Sequence, residues 1–249
     1  MTDSDFYYLQ NKWSNIYLRE VGELDYTKVD WVERTSNHRV RTILELGAGG
    51  GQFSVAMAQK GYFVIALEIE PQFTEHMEKI KAYNSLENLT VLTADFYSVK
   101  LSEKFDLIVY WDGFGVGSDE DQKRLLRNIS DWLSPEGAAL IEVYTPWFWA
   151  AKAAGITNQM GEILRRYEFD AENCCLVDTW WHKNQPTKKI SQHLRCYSPA
   201  DLKLLLDSMD LNIEEIYSGG YVNFETGEYL SEVPLYQAMS YTAKIVHGK

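Results

Sequence analysis

The 249 residues are 45% hydrophobic and carry a net charge of −12, enough apolar content for a sizeable core and the reverse of a disordered composition. That acidity argues against a nucleic-acid surface, which needs clustered Lys and Arg, and against docking on anionic membranes. No apolar run reaches transmembrane length, the acidic opening is unlike a signal peptide, and Cys174, Cys175 and Cys196 give neither a disulfide framework nor a zinc spacing, so a cytoplasmic setting is expected.

Residues 1–40 place Phe6, Tyr7, Tyr8, Trp13, Tyr17, Leu18 and Trp31 among polar neighbours, which predicts one or two helices packed on the remainder of the chain. Thr42 to Leu46 is a short apolar run with β-branched members, stopped by Gly47, as in a buried parallel strand. Gly47, Gly49, Gly50 and Gly51 then permit a sharp turn and close approach of a ligand to bare backbone. Phe53, Val55, Ala56 and Met57 supply the apolar side of a helix that Gly61 ends. Tyr62 to Leu67 is a second buried strand with Glu68 at its carboxyl end. A carboxylate about 20 residues beyond a glycine loop is where ribose hydroxyls are held. A dinucleotide fingerprint fails in both frames, because Gln52 and Ser54 stand where Gly or Ala is required.

Pro71 opens a helix running to about Asn84. Leu89 to Ala94 is a third strand, followed by Asp95 and Phe96. Phe105 to Trp111 is a fourth, ending in Asp112-Gly113-Phe114-Gly115-Val116-Gly117. Ligands of open α/β sheets sit outside the carboxyl ends of strands, so Trp111, Asp112 and Phe114 are expected at the crevice of Gly47 and Glu68. Asp119 to Trp132 is a charged helix, Ser134 to Gly137 a turn, and Ala138 to Val143 a fifth strand with Tyr144 beyond it. Thr145 to Trp149 and then Ala150 to Tyr167 read as a loop leading into a helix. Asn173 to His182 and Lys188 to Tyr197 read as a hairpin. Alternation puts Asp178, Trp180 and His182 on one face, and His193, Arg195 and Tyr197 on one face of its partner. Ser198 caps a helix with Leu202, Leu205, Leu206 and Met209 inward. Leu211 to Tyr217 and Ser240 to Val246 close the chain, with a flap over Gly219 to Tyr236 between them.

The run Glu45-x-Gly47-x-Gly49-x-Gly51 resembles the first motif of the class I S-adenosylmethionine-dependent methyltransferases, small-molecule type, and the resemblance extends from about Arg41 to the end. It implies an α/β fold: a doubly wound, Rossmann-like seven-stranded sheet, mostly parallel with an antiparallel last strand, and helices on both faces. It further implies one methyltransferase domain with a helical cover (1–40), a cofactor-binding half (41–145), an inserted lid (146–198) and a closing helix and strands (199–249). The implied cofactor is S-adenosylmethionine, held by Glu45, Gly47, Ala48, Gly49 and Gly51, by Glu68 and Ile69 at the ribose, by Asp95 and Phe96 at the adenine, and by Trp111 and Phe114. Tyr17 and Trp13 are the aromatic candidates from the cover. Asp112-Gly113-Phe114 departs from the Asp/Asn-Pro-Pro of relatives that methylate DNA bases, so that substrate is not supported.

The chemistry so implied is in-line transfer of a methyl group to nitrogen or oxygen, less favourably carbon, of a small-molecule acceptor. The protein must align the reactants, exclude water and remove a proton where the acceptor requires it. His182 and His193 are candidate bases because histidine titrates near neutrality, although a satisfied structural hydrogen bond is the competing reading for each. Asp112 and Tyr144 are the alternatives, and an amine acceptor needs no dedicated base. No metal is expected, since Asp119, Glu120 and Asp121 read as a solvated helix start. Two other readings keep the cofactor: a different use of it, such as intramolecular cyclisation, and a non-catalytic binding subunit that supports a partner.

Overall fold

The computed structural model describes residues 3–36 and 39–248. Helices α1 (Asp3–Ser14) and α2 (Glu23–Thr35) come first, followed by β1 (Thr42–Leu46), α3 (Gln52–Gln59), β2 (Phe63–Glu68), α4 (Pro71–Asn84), β3 (Leu89–Thr93), β4 (Phe105–Phe114), α5 (Asp119–Trp132) and β5 (Leu133–Tyr144). After a short α6 (Pro146–Phe148) and a π turn (Trp149–Ala153) come four strands: β6 (Thr157–Met160), β7 (Ile163–Asp170), β8 (Cys175–His182) and β9 (Lys189–Arg195). The chain closes with α7 (Pro199–Leu206), β10 (Leu211–Ser218), the small pair β11 (Tyr221–Val222) and β12 (Tyr229–Leu230), and β13 (Ser240–His247).

The main sheet has the order β10-β13-β5-β4-β1-β2-β3. Only β13 opposes the others, pairing antiparallel with both β5 and β10, while β1 pairs parallel with β2 and β4. This is the expected doubly wound, Rossmann-like α/β sheet. Its central strands are largely apolar because both faces are covered: Ile43, Leu44 and Leu46 of β1 are all 0% exposed. On one face Leu125, Leu126 and Ile129 of α5 pack with Leu202 of α7; on the other, Val29 and Val32 of α2 pack with Val55 and Ala56 of α3. Each such aliphatic side chain contributes about 1.5–3 kcal/mol by leaving water. The strand order reverses between β1 and β4, which opens a crevice at their carboxyl ends.

Two expectations are corrected. The helix expected over 150–167 ends at Ala153 with the π turn, and β6 and the first half of β7 take the remainder. The hairpin β8–β9 is therefore half of a four-stranded antiparallel sheet, β6-β7-β8-β9. Ile163, Arg165, Tyr167 and Phe169 alternate along β7, and that period of two prevails over the helix-forming alanines upstream. Second, Ser134 to Gly137 does not terminate before the fifth strand but bulges within it, the pairing to β4 jumping from Phe105↔Leu133 to Leu107↔Ala138.

The second sheet is fastened to the amino terminus. Phe6 of α1 packs with Ile163, Trp180 and Ile190, and Gln192 Nε2 donates to the Tyr7 hydroxyl at 2.7 Å. Together α1 and this sheet roof the crevice.

Candidate active site

The loop after β1 is built from left-handed backbone. At Gly49, where φ is +54°, a Cβ would lie 3.2 Å from Cδ1 of the Tyr17 ring, so only glycine leaves the space between loop and ring open. Gly51 has a different reason: its Cβ would come within 2.2 Å of Met77 Cγ, so it lets α3 pack on α4. The residues that broke the dinucleotide pattern have structural partners. Gln52 Nε2 donates to the carbonyls of Tyr17 and Arg19, at 2.7 and 2.8 Å, and thereby fixes the segment between α1 and α2 over the loop. Ser54 Oγ donates to the buried Glu45.

Glu68 ends β2 with 5% exposure, and its carboxylate accepts the backbone N–H of Gly49 at 2.7 Å on Oε2 and that of Glu70 at 2.9 Å on Oε1. Burial pushes this carboxyl above its usual value, against those hydrogen bonds. Asp95 follows β3, accepting the Tyr97 N–H at 2.8 Å, and the Phe96 ring stands edge-on to Tyr110 at 5.2 Å. Together with Tyr7, Tyr17, Gly47, Gly49, Ile69, Trp111 and Asp112 these residues line a cleft with about 830 Å³ of free space, part of it open to solvent.

A nucleoside fits this lining. The bare backbone of Gly47 and Gly49 admits close approach, two carboxylates stand at successive strand ends, and Phe96 offers a ring face. Trp111, also in the lining, has a buried indole Nε1 with no hydrogen-bond partner among the described residues. Of the expected cofactor residues, Glu45, Ala48, Gly51 and Phe114 lie behind this surface. Glu45 is 4% exposed and faces α3, Ala48 donates its N–H to the Leu67 carbonyl, and Phe114 is 1% exposed against Tyr197.

At the other end of the cleft Asp112 adopts φ +54°, and the Tyr144 hydroxyl donates to its Oδ1. Asp112 is exposed and lines the cleft; desolvation by the protein around it, with Glu142 adding repulsion, pushes its carboxyl up to about 6. Burial and the neighbouring Asp112 push the Tyr144 hydroxyl well above its usual value. The Tyr144 ring centre lies 5.0 Å from that of Trp149, the two planes tilted by 31°. Asp112 and Tyr144 are thus brought together, and the histidines are not. His193 is exposed on β9, paired with Val177 on the face of the small sheet opposite Trp180 and Ile190. His182, at the far end of β8, accepts the Asn184 N–H on Nδ1 at 3.2 Å and does not line the cleft. Asp119 and Asp121 serve α5 and its surroundings: Asp121 completes a capping box with Ser118, and Asp119 accepts the Tyr197 hydroxyl at 2.6 Å.

Sequence reasoning missed Arg165, which sits bidentate on Asp178 with its charge acting on Tyr17, Asp112 and Tyr144. It also missed Tyr7 and Tyr110 in the cleft lining. The alternation of β7 was the available signal for Arg165.

A family model described as "Methyltransferase domain" matches residues 17–216. Cypemycin N-terminal methyltransferase of Streptomyces sp is 31% identical over 123 residues, 47% of this chain and 48% of that protein, so the match spans about half the length of that curated relative. Among solved structures, an S-adenosylmethionine-dependent methyltransferase from Clostridium acetobutylicum ATCC 824 superposes with a TM-score of 0.74 over 97% of this chain and 100% of that one, at 15% identity. The sugar N-methyltransferase KedS8 from Streptoalloteichus sp ATCC 53650 does so with a TM-score of 0.64 over 98% and 93%, also at 15% identity. At such identities the two structures establish likeness of fold.

Proposed function

The chain belongs to the methyltransferase-domain family, and from that premise we propose that it transfers a methyl group from S-adenosylmethionine to a nitrogen of a small-molecule acceptor. The observation that carries this reading is the convergence on one cleft of the Gly47–Gly49 loop, Glu68, Asp95 and Phe96 at one end and Asp112 at the other. The choice of nitrogen draws on relatives named as N-methyltransferases.

When bound, the cofactor supplies a methyl group already activated by its sulfonium. Glu68 would hold the ribose hydroxyls through the carboxylate lone pairs that Gly49 and Glu70 leave open, and Asp95 and Phe96 would hold the adenine. Aromatic faces such as Tyr17 and Trp111 suit a cationic group and exclude water. Tyr144 engages Oδ1 of Asp112, which leaves Oδ2 to accept the proton that the acceptor nitrogen releases. A carboxyl raised to about 6 is ionised at neutral pH yet more basic than a solvated aspartate. Calorimetric titration with S-adenosylmethionine, S-adenosylhomocysteine and NAD tests the reading. Binding of the first two without NAD supports it, and binding of NAD alone would overturn it.

A further inference from the structure

The face that the sheet β6–β9 turns toward the cleft is apolar at both ends and charged in the middle. At one end Ile163 and Trp180 pack under Phe6. At the other, Tyr167 and Leu176 pack with Phe148 and Trp149. Between them Arg165 donates from Nε and Nη2 to the two carboxylate oxygens of Asp178, at 2.9 and 2.8 Å, with its guanidinium 4.7 Å from the centres of both the Tyr167 and Trp180 rings. Trp180 Nε1 makes a third bond to Asp178, at 2.9 Å. Asp178, 6% exposed, is therefore fully engaged. The Arg165 side chain is 28% exposed, and its Nη1 makes no hydrogen bond among the described residues. A continuous run of contacts joins it to the Asp112 end of the cleft: its guanidinium lies on the Tyr167 ring, Tyr167 on Trp149, Trp149 on Tyr144, and the Tyr144 hydroxyl on Asp112.

Packing does not account for this pair. A buried ion pair is at best about neutral against apolar side chains of the same volume, and both flanks of this face are apolar. What the pair adds, and two leucines would not, is a planar cation with two free N–H donors on Nη1, oriented by Asp178 and by the two rings.

We propose that Arg165 binds a carboxylate of the methyl acceptor, so that the substrates are amino-carboxylates. The assignment rests on the methyl-transfer reading above. The nitrogen faces Asp112, where Glu142 adds a second negative charge, and the carboxylate faces the guanidinium above it. The Tyr144, Trp149 and Tyr167 rings, in sequence at 5.0 and 5.3 Å, form an apolar wall between the two polar ends.

The test is calorimetry of the full chain saturated with S-adenosylhomocysteine, titrated with matched pairs: L-phenylalanine and phenethylamine, L-tyrosine and tyramine, anthranilate and aniline. At least one carboxylate-bearing member binds about tenfold or more tightly than its partner. Two variants extend the test: Arg165→Lys, which keeps the charge and loses the fork, and the double variant Arg165→Leu/Asp178→Leu, which leaves no unpaired charge. Both still bind S-adenosylhomocysteine, and both bind the amino-carboxylate roughly 10–100-fold more weakly while the simple amine changes by less than about threefold. Equal binding of both members of every pair, equal weakening of both in the variants, or no binding across the panel while S-adenosylhomocysteine binds, each overturns the proposal alone. Failure of S-adenosylhomocysteine to bind in the first titration overturns the methyl-transfer reading and this one with it.

Discussion

The backbone N–H of Gly49 donates to Oε2 of Glu68 at 2.7 Å, which joins the turn after β1 to the end of β2 across nineteen residues of sequence. The same carboxylate receives Glu70 from its other side, so its position is set before any ligand arrives. In Glu68→Ala both the anchor of the turn and the acceptor for ribose hydroxyls disappear. S-adenosylhomocysteine affinity should fall by about 1–3 kcal/mol, roughly 5- to 150-fold in Kd. Unchanged affinity on calorimetric titration would remove Glu68 from the site.

Gly49→Val should abolish that binding. The substitution forces a β-branched residue to φ +54° and drives it toward a ring already 3.2 Å from where a Cβ begins. Because the Tyr17 ring borders the cleft, the melting temperature should drop less than the affinity does, and a variant that binds normally would contradict the packing of Tyr17 on the loop.

Asp112, with its carboxyl raised to about 6, is active as a base only when deprotonated. Turnover per KM should therefore rise with pH through about 6 and level off above it. Asp112→Asn should lose that limb and about 10²–10⁴ in rate. An acid limb that persists in Asp112→Asn assigns the proton elsewhere.

Glu45 gives a separate prediction on stability. Burial raises its carboxyl to about 7, so between the ordinary glutamate value and 7 the folded chain holds a proton that the unfolded chain has released. Its contribution is complete at low pH and is lost as pH rises through 7, a change of about 3 kcal/mol at most. Glu45→Gln keeps an acceptor for the Ser54 hydroxyl and removes this slope. Urea melts of both proteins at pH 5 and pH 8 measure the difference, and identical pH dependence would show that Glu45 titrates normally.

The parallel strands and their order were legible because a strand buried on both faces is written as an apolar run, and Thr42 to Leu46 and Phe105 to Trp111 are such runs. The cleft residues Gly47, Glu68, Asp95 and Asp112 were legible because each stands where such a run ends. Phe114 was misplaced for a local reason. Positive φ at Asp112 breaks the alternation of β4, so Asp112 meets the cleft while Phe114 turns into the core. His182 shares the covered face with Trp180 but stands beyond it at the strand end, and His193 was misplaced for a distant reason. Alternation defines two faces of β9, but which face is covered depends on Phe6, whose partner Ile190 lies far along the chain. No pattern within residues 188–197 carries that information.

The bond between Gln192 and Tyr7 spans 185 residues. Helix α1 is made first, yet the apolar surface that covers Phe6 is completed only by Ile163, Trp180 and Ile190. On the ribosome the central strands β1 to β5 can pair while their roof does not yet exist. Throughout that interval Phe6 and Trp13 lack the cluster they later join, and the emerging chain carries an aromatic helix that a chaperone can hold. The cleft gains its roof only after β9 has followed the glycine turn by well over a hundred residues, so roofing is a late act of folding even though the turn is made early.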